Sequence, residues 1–255
     1  MKFVKTKIVL FLILLVCIVF FSNDFGIIDI KRAAIITAIA IDYEDEEYSI
    51  TTQIDVPEAT DKNEEKAKTQ ITTKGKTIAS AIKHIGSSTG WFPQLYFCNL
   101  IIIGSDVSNE NTIKLLDYFA KTLRVQDSAN VIISATKASD LLSVSSPFDD
   151  ISSFAIQKIL LKNQGFDNDI MLKNIKDFSS DYYSKSKSSF MPIVIKEEQD
   201  SGNSESQSGA GSSQGGGGES SGGSSESGGS ENKKYLFNAK NTALFFEGIK
   251  VGSLN

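Results

Sequence analysis

The chain has 255 residues, 40% of them hydrophobic and 22% charged, a composition that supports one folded domain of ordinary kind and excludes a wholly disordered chain. Its 26 basic and 31 acidic residues leave a net charge of −5, and only Arg32 and Arg124 are arginine, so the basic footprint and Arg forks of a nucleic-acid-binding protein are missing. Cys17 and Cys98 are the two cysteines and His84 the single histidine, too few for a disulfide framework or a His/Cys zinc set. No cofactor or metal is expected.

Lys2, Lys5 and Lys7 precede Ile8 to Phe21, a stretch apolar at every position and followed by Ser22, Asn23 and Asp24. A basic flank before an apolar run is an export signal. Val19, Phe20 and Phe21 offer no small residue for cleavage, and Leu14, Leu15 and Val16 before Cys17 do not make a lipobox. The expected form is therefore an uncleaved signal anchor over residues 1–22. The positive-inside rule keeps the three lysines cytoplasmic and puts the chain from about Asn23 onward on the far side. Cys17 then lies in the membrane and cannot pair with Cys98.

Ala33 to Asp42 is a continuous apolar run, as expected of a strand covered on both faces. Tyr48, Ile50, Thr52, Ile54 and Val56 alternate with polar residues, which predicts a second strand with one buried face, and Glu44, Asp45, Glu46 and Glu47 between them read as a hairpin tip. A third strand is predicted over Lys68 to Thr73, broken by Gly75. Ile78, Ala81, Ile82 and Ile85 follow helical spacing with Thr77 placed to cap, and Gly86 is the expected stop. Leu95 to Ile103 reads as one buried strand ended by Gly104. The remaining pattern predicts a helix over Asn109–Leu123, a strand over Ala129–Ala135, helices over Ala138–Val144, Ile151–Lys162 and Asp169–Tyr182, and strands over Phe190–Lys196 and Thr242–Gly248. This order describes an α/β or α+β domain, a mixed β-sheet with flanking helices, preceded by the membrane-anchor helix.

Residues 30–199 form the predicted domain. From Asp200 to Asn232 the chain is almost wholly Ser, Gly, Gln, Asn and Glu with no large apolar residue, the composition of a disordered linker. Its five acids carry the whole net charge, since 31 − 5 leaves 26 acids against 26 bases elsewhere. Residues 233–255 follow as terminal strands that could open a further domain.

No catalytic set emerges. Lys74, Gly75, Lys76 and Thr77 look like the end of a phosphate loop, but Gln70 stands where its first glycine is needed, so a glycine turn feeding a capped helix is the expectation. Glu44 to Glu47 lack the alternation and central glycine of a calcium loop. Asp149 and Asp150 precede a predicted helix and are expected to cap it. His84 reads as a structural surface or half-buried histidine. Trp91, Phe92 and Pro93 form either an exposed aromatic contact or a packed loop corner.

Ile30 to Asp42 resembles the opening strand of the Ger(x)C family, the C subunits of spore germinant receptors. Tyr48 to Val56, Gly75 with its following helix, Leu95, Tyr96 and Phe97 leading through Leu100 to Gly104, and Leu115, Leu116, Asp117 and Tyr118 resemble that family's N-terminal domain in order and spacing. Ala243 to Leu254 is similar to its later strand-turn-strand. Family members usually begin with a lipidated cysteine followed by tryptophan, where Asp24 and Phe25 stand here, so the apolar helix is the expected tether. In the family, further C-terminal domains follow the stretch that ends here at Asn255. The resemblance implies a non-enzymatic germinant-receptor subunit on the outer face of the spore's inner membrane, working with two integral-membrane subunits. The residues alone equally allow a membrane-tethered extracytoplasmic binding or cell-wall interaction module.

Overall fold

A computed structural model describes residues 2–22, 33–55, 69–107, 112–122, 125–144, 146, 149, 151–163, 170–198 and 235–254. The predicted linker over residues 200–232, Asp150, and Asp24 and Phe25 lie outside the described residues.

Helix α1 spans Lys2–Ser22. Among the described residues, no helix is long and apolar enough to cross a membrane. The sheet begins with β1 (Ala33–Glu44) and β2 (Glu47–Asp55), joined at the acidic tip, where Asp45 and Glu46 take φ of 53° and 63°. Two successive positive-φ residues match the right-handed twist of the strands they join. Strand β3 (Thr69–Gly75) pairs antiparallel with β2, and helix α2 (Ile78–Thr89) follows. Thr77 caps α2 as predicted, its hydroxyl accepting from the Ser80 amide while the Ser80 hydroxyl accepts from the Thr77 amide, a reciprocal capping box. The helix does not stop at Gly86. It runs one turn further to Gly90 at φ 70°, because only there does the backbone turn left-handed.

Of the strand predicted over Leu95–Ile103 only the last four residues are strand; residues 95–99 lie outside any strand, and a further short strand precedes them. Short β4 (Phe92–Gln94) and β5 (Leu100–Ile103) both lie parallel to β1, separated by a turn in which the Cys98 amide donates to the Leu95 carbonyl. Helix α3 (Thr112–Lys121), β6 (Asn130–Ser134), α4 (Ala138–Ser143), α5 (Ser152–Lys162) and α6 (Ile175–Tyr182) follow, then β7 (Ser188–Glu198), β8 (Tyr235–Phe246) and β9 (Ile249–Leu254). The helix predicted from Asp169 begins only at Ile175. Before it the chain runs beside β6, with Val131 donating to the Lys173 carbonyl and an isolated bridge joining Asn130 and Asn174.

The strand order is β3-β2-β1-β5-β6-β7-β8-β9, with β4 extending the β1 pairing. Four strands, β1, β5, β6 and β7, are parallel, and antiparallel hairpins flank them on both sides. This mixed sheet with helices on both faces is the predicted architecture. On one face Ile39, Ile41, Ile101, Ile103, Val131 and Ile133 pack against α2, α3 and α6. On the other, Ala38, Ala40, Leu100, Ile102 and Ile132 pack against α4 and α5. Strands covered twice need apolar residues at consecutive positions, which is why β1 and β5 read as unbroken hydrophobic runs.

Bulges decide which residues face which layer. In β8 the pairing moves from Asn238 opposite Ile195 to Asn241 opposite Ile193, one extra residue on β8. Phe237 and Ala239 consequently join the layer under α4 and α5, whereas Ala243 and Phe245 join the opposite one.

The prediction that β2 buries one face needs correction. Ser49, Thr51 and Gln53 are as buried as Ile50 and Ile54, because α4 and α5 cover the polar face too. Two of them bond within the fold: the Thr51 and Thr72 hydroxyls meet at 2.8 Å, and Gln53 Oε1 accepts from the Ser153 amide at 3.1 Å, while Gln53 Nε2 is buried without a hydrogen-bond partner.

Candidate functional site

The buried polar residues that sequence reasoning did not select are positioned for structure. Asp42, at the end of β1, is buried, and its carboxylate accepts from the backbone amides of Ala138 at 2.6 Å and Ser139 at 2.9 Å. It caps α4 from a strand 96 residues away in sequence, while the local N-cap residue, Lys137, makes no side-chain bond to the helix. Negative charge at free helical amides is favourable. Gly104 permits the approach, since a Cβ there would lie 2.5 Å from Asp42 Oδ1. Gln53 serves α5 in the same way, in place of its local N-cap residue, Ile151.

Asp149 therefore does not cap α5 as predicted. It is drawn instead into a 2.5 Å ion pair with Lys158. Glu44 pairs with Lys137 at 2.5 Å, and the hydrogen bond from that ammonium holds its carboxyl below the usual carboxylate range. His84 is exposed on α2, with Nδ1 2.9 Å from the Lys74 carbonyl, a structural contact as expected. The Lys74–Thr77 stretch is the glycine turn into α2. Gly75 is needed there because a Cβ would fall 2.7 Å from the Ala81 amide. Among the described residues, no group of three His, Cys, Asp or Glu side chains could hold a metal ion.

Cys98 is fully buried, and burial pushes its thiol up to about 12. At neutral pH the thiolate is then only about one part in 10⁵, using the factor of ten per pH unit of any titration. Thiol reagent added to the native chain is expected to spare Cys98 until denaturant is added. Modification of Cys98 without denaturant would mean that the Leu95–Cys98 turn opens readily.

The feature that sequence reasoning only half found is the aromatic surface around β4. Trp91 is half-buried and packs against the core, whereas Phe92 is 52% exposed. The turn adds Tyr96 at 59% and Phe97 at 56%, their rings edge to face at 5.5 Å. Leu95 and Cys98 on either side point into the core, so the turn is anchored at both ends while its two aromatics project. The signal was present as two aromatics inside an apolar run, but reading that run as one strand hid it.

These observations define the class: a twice-covered mixed sheet whose buried polar groups tie helices to strands and whose exposed aromatics sit on a turn beside β1. A family model described as the spore germination protein N-terminal domain matches residues 26–196. The chain belongs to that family, and so to the spore germination proteins. Among solved structures, the crystal structure of the GerBC protein is similar, with 15% identity and a TM-score of 0.35 over 85% of this chain and 51% of that chain. The chain thus spans about half the length of that protein. No curated protein matches it.

Proposed function

We propose that the protein is a non-catalytic subunit of a spore germinant receptor, tethered by α1 to the outer face of the membrane and working by contact with integral-membrane receptor subunits. The observation that carries this reading is the family match, which runs from just before β1 into β7. The tether is supported by the sequence of α1. Its wholly apolar part, Ile8 to Phe21, has 14 residues and covers about 21 Å of a hydrocarbon layer about 30 Å thick. Lys7 extends that reach by snorkelling to the cytoplasmic headgroups, and the bilayer thins to meet a short span.

The test is release of dipicolinic acid from spores of a deletion strain. Loss of the response to nutrient germinants, with direct chemical triggering intact, is the expected result. A normal nutrient response in a strain also lacking paralogous subunits would overturn the receptor reading and favour a tethered binding or cell-wall module.

A further inference from the structure

The aromatic surface at β4 has a location that its exposure alone does not convey. Phe92 pairs with Ala33, the first residue of β1, and α1 ends at Ser22. The ten intervening residues, 23–32, can span at most about 35–40 Å even when fully extended. If α1 is the tether, the end of the sheet carrying Phe92 stays within that distance of the bilayer. The opposite end of β1 is the hairpin tip, 12 residues on and about 40 Å further along the strand.

The two ends differ in the chemistry they present. The far end carries Glu44, Asp45, Glu46 and Glu47, which a headgroup layer with an anionic component repels. The near end carries Phe92, Tyr96 and Phe97, each more than half exposed. Met171, 61% exposed, stands on the segment that runs beside the start of β6. Asn130 at that start donates to the Asn99 carbonyl, just past the aromatic turn. Phenylalanine and tyrosine on a projecting turn suit the bilayer interface, where one side of a ring is dry and the other wet.

We infer that the Phe92, Tyr96 and Phe97 surface rests on the lipid headgroup boundary of the leaflet from which α1 emerges, fixing the domain with its acidic tip pointing away from the membrane. This rests on the tether proposed above. The surface would fix the orientation that a single spanning helix leaves open. A tether alone leaves the domain free to rotate; a tether and an apolar foot do not.

Trp91 is the only tryptophan and adjoins the foot, so the full chain carries its own probe. The chain is reconstituted into phosphatidylcholine vesicles containing a minor phosphatidylglycerol fraction, with and without lipid brominated near the headgroup. The expected result is co-flotation with the vesicles and loss of roughly half or more of the Trp91 emission to the brominated lipid, since interfacial side chains sit about 5–10 Å into the boundary. The triple variant Phe92→Ser, Tyr96→Ser, Phe97→Ser should float equally well, keep its thermal transition and lose the quenching. A Trp91→Phe, Glu47→Trp chain, with its probe at the acidic tip, should float and stay unquenched. Flotation with Trp91 unquenched, or equal quenching at both probe positions, would overturn the inference; in the former case the surface is left to a protein partner. A chain that fails to float would instead remove the tether, and the inference with it.

Discussion

Replacing Phe178 by alanine is expected to destabilise the domain by about 3–5 kcal/mol, the range for large-to-small changes at a fully buried aromatic. Phe178 is completely inaccessible and meets Phe245 edge to face at 5.3 Å. It is one of only two buried residues on α6, the other being Ile175, so its loss removes much of what holds an eight-residue helix to the sheet. A helix that short does not persist without its tertiary contacts. Because α6 leads directly into β7, the damage should spread to the strand that joins β6 to the β8–β9 hairpin. For a domain of this size the thermal midpoint should fall by about 6–20 °C, taking about 2–4 °C per kcal/mol. Phe178→Leu should cost less than half as much. A calorimetric change below about 1 kcal/mol for the alanine variant would be far too small for a core site and would show that α6 does not pack as described.

The Asp42→Ala substitution should cost about 2–4 kcal/mol, because two charge-assisted bonds are lost and the Ala138 amide is left buried without a partner. Asp42→Asn keeps one acceptor oxygen and should recover about half of that loss. The sharper measurement is a double-mutant cycle with Gly104. In the native background a Cβ at residue 104 would be driven into Asp42 Oδ1 at 2.5 Å, forcing the carboxylate off the α4 amides. In the Asp42→Ala background the carboxylate is gone and the Ile41 carbonyl, 3.1 Å from the added Cβ, is the close neighbour left, so Gly104→Ala should be cheaper. A coupling of about 1–2 kcal/mol between the two positions is expected from urea unfolding, within the range for residues in contact. Strict additivity would mean that the glycine serves some purpose other than admitting the carboxylate.

Much of the architecture was legible because local and global preferences agree. The unbroken apolar runs of β1 and β5 announce strands buried on both faces, and the Thr77 cap before Ile78, Ala81, Ile82 and Ile85 announces α2. Gly86 is not the stop its glycine suggests: it lies within the helix, where an added Cβ would make only ordinary contact with the Trp91 carbonyl at 3.4 Å and Pro93 at 3.6 Å. The candidate surface was less legible than the fold. Leu95 through Ile103 has the composition of one strand, and nothing local requires the chain to leave the sheet at Tyr96 and Phe97. That break is tied down by partners elsewhere: the Asn99 amide donates to the Thr37 carbonyl, and the Asn130 amide to Asn99.

Sequence by itself determined the absence of a basic nucleic-acid footprint and the mixed α/β pattern, because charge, periodicity and composition are properties of neighbouring residues, and the spore germination family was legible in it as a resemblance. Tertiary structure alone decided the roles of the polar residues. Asp149 was placed to cap a helix and pairs with Lys158 instead, while Asp42 and Gln53, in strands far away in the chain, provide the caps. A free helical amide bonds to whichever acceptor the packed core brings within about 3 Å, and sequence distance has no part in that choice. The same reason governs β2, whose alternation suggests a solvated face: it is buried instead, with Gln53 accepting from the Ser153 amide of α5 and Thr51 bonded to Thr72 of β3.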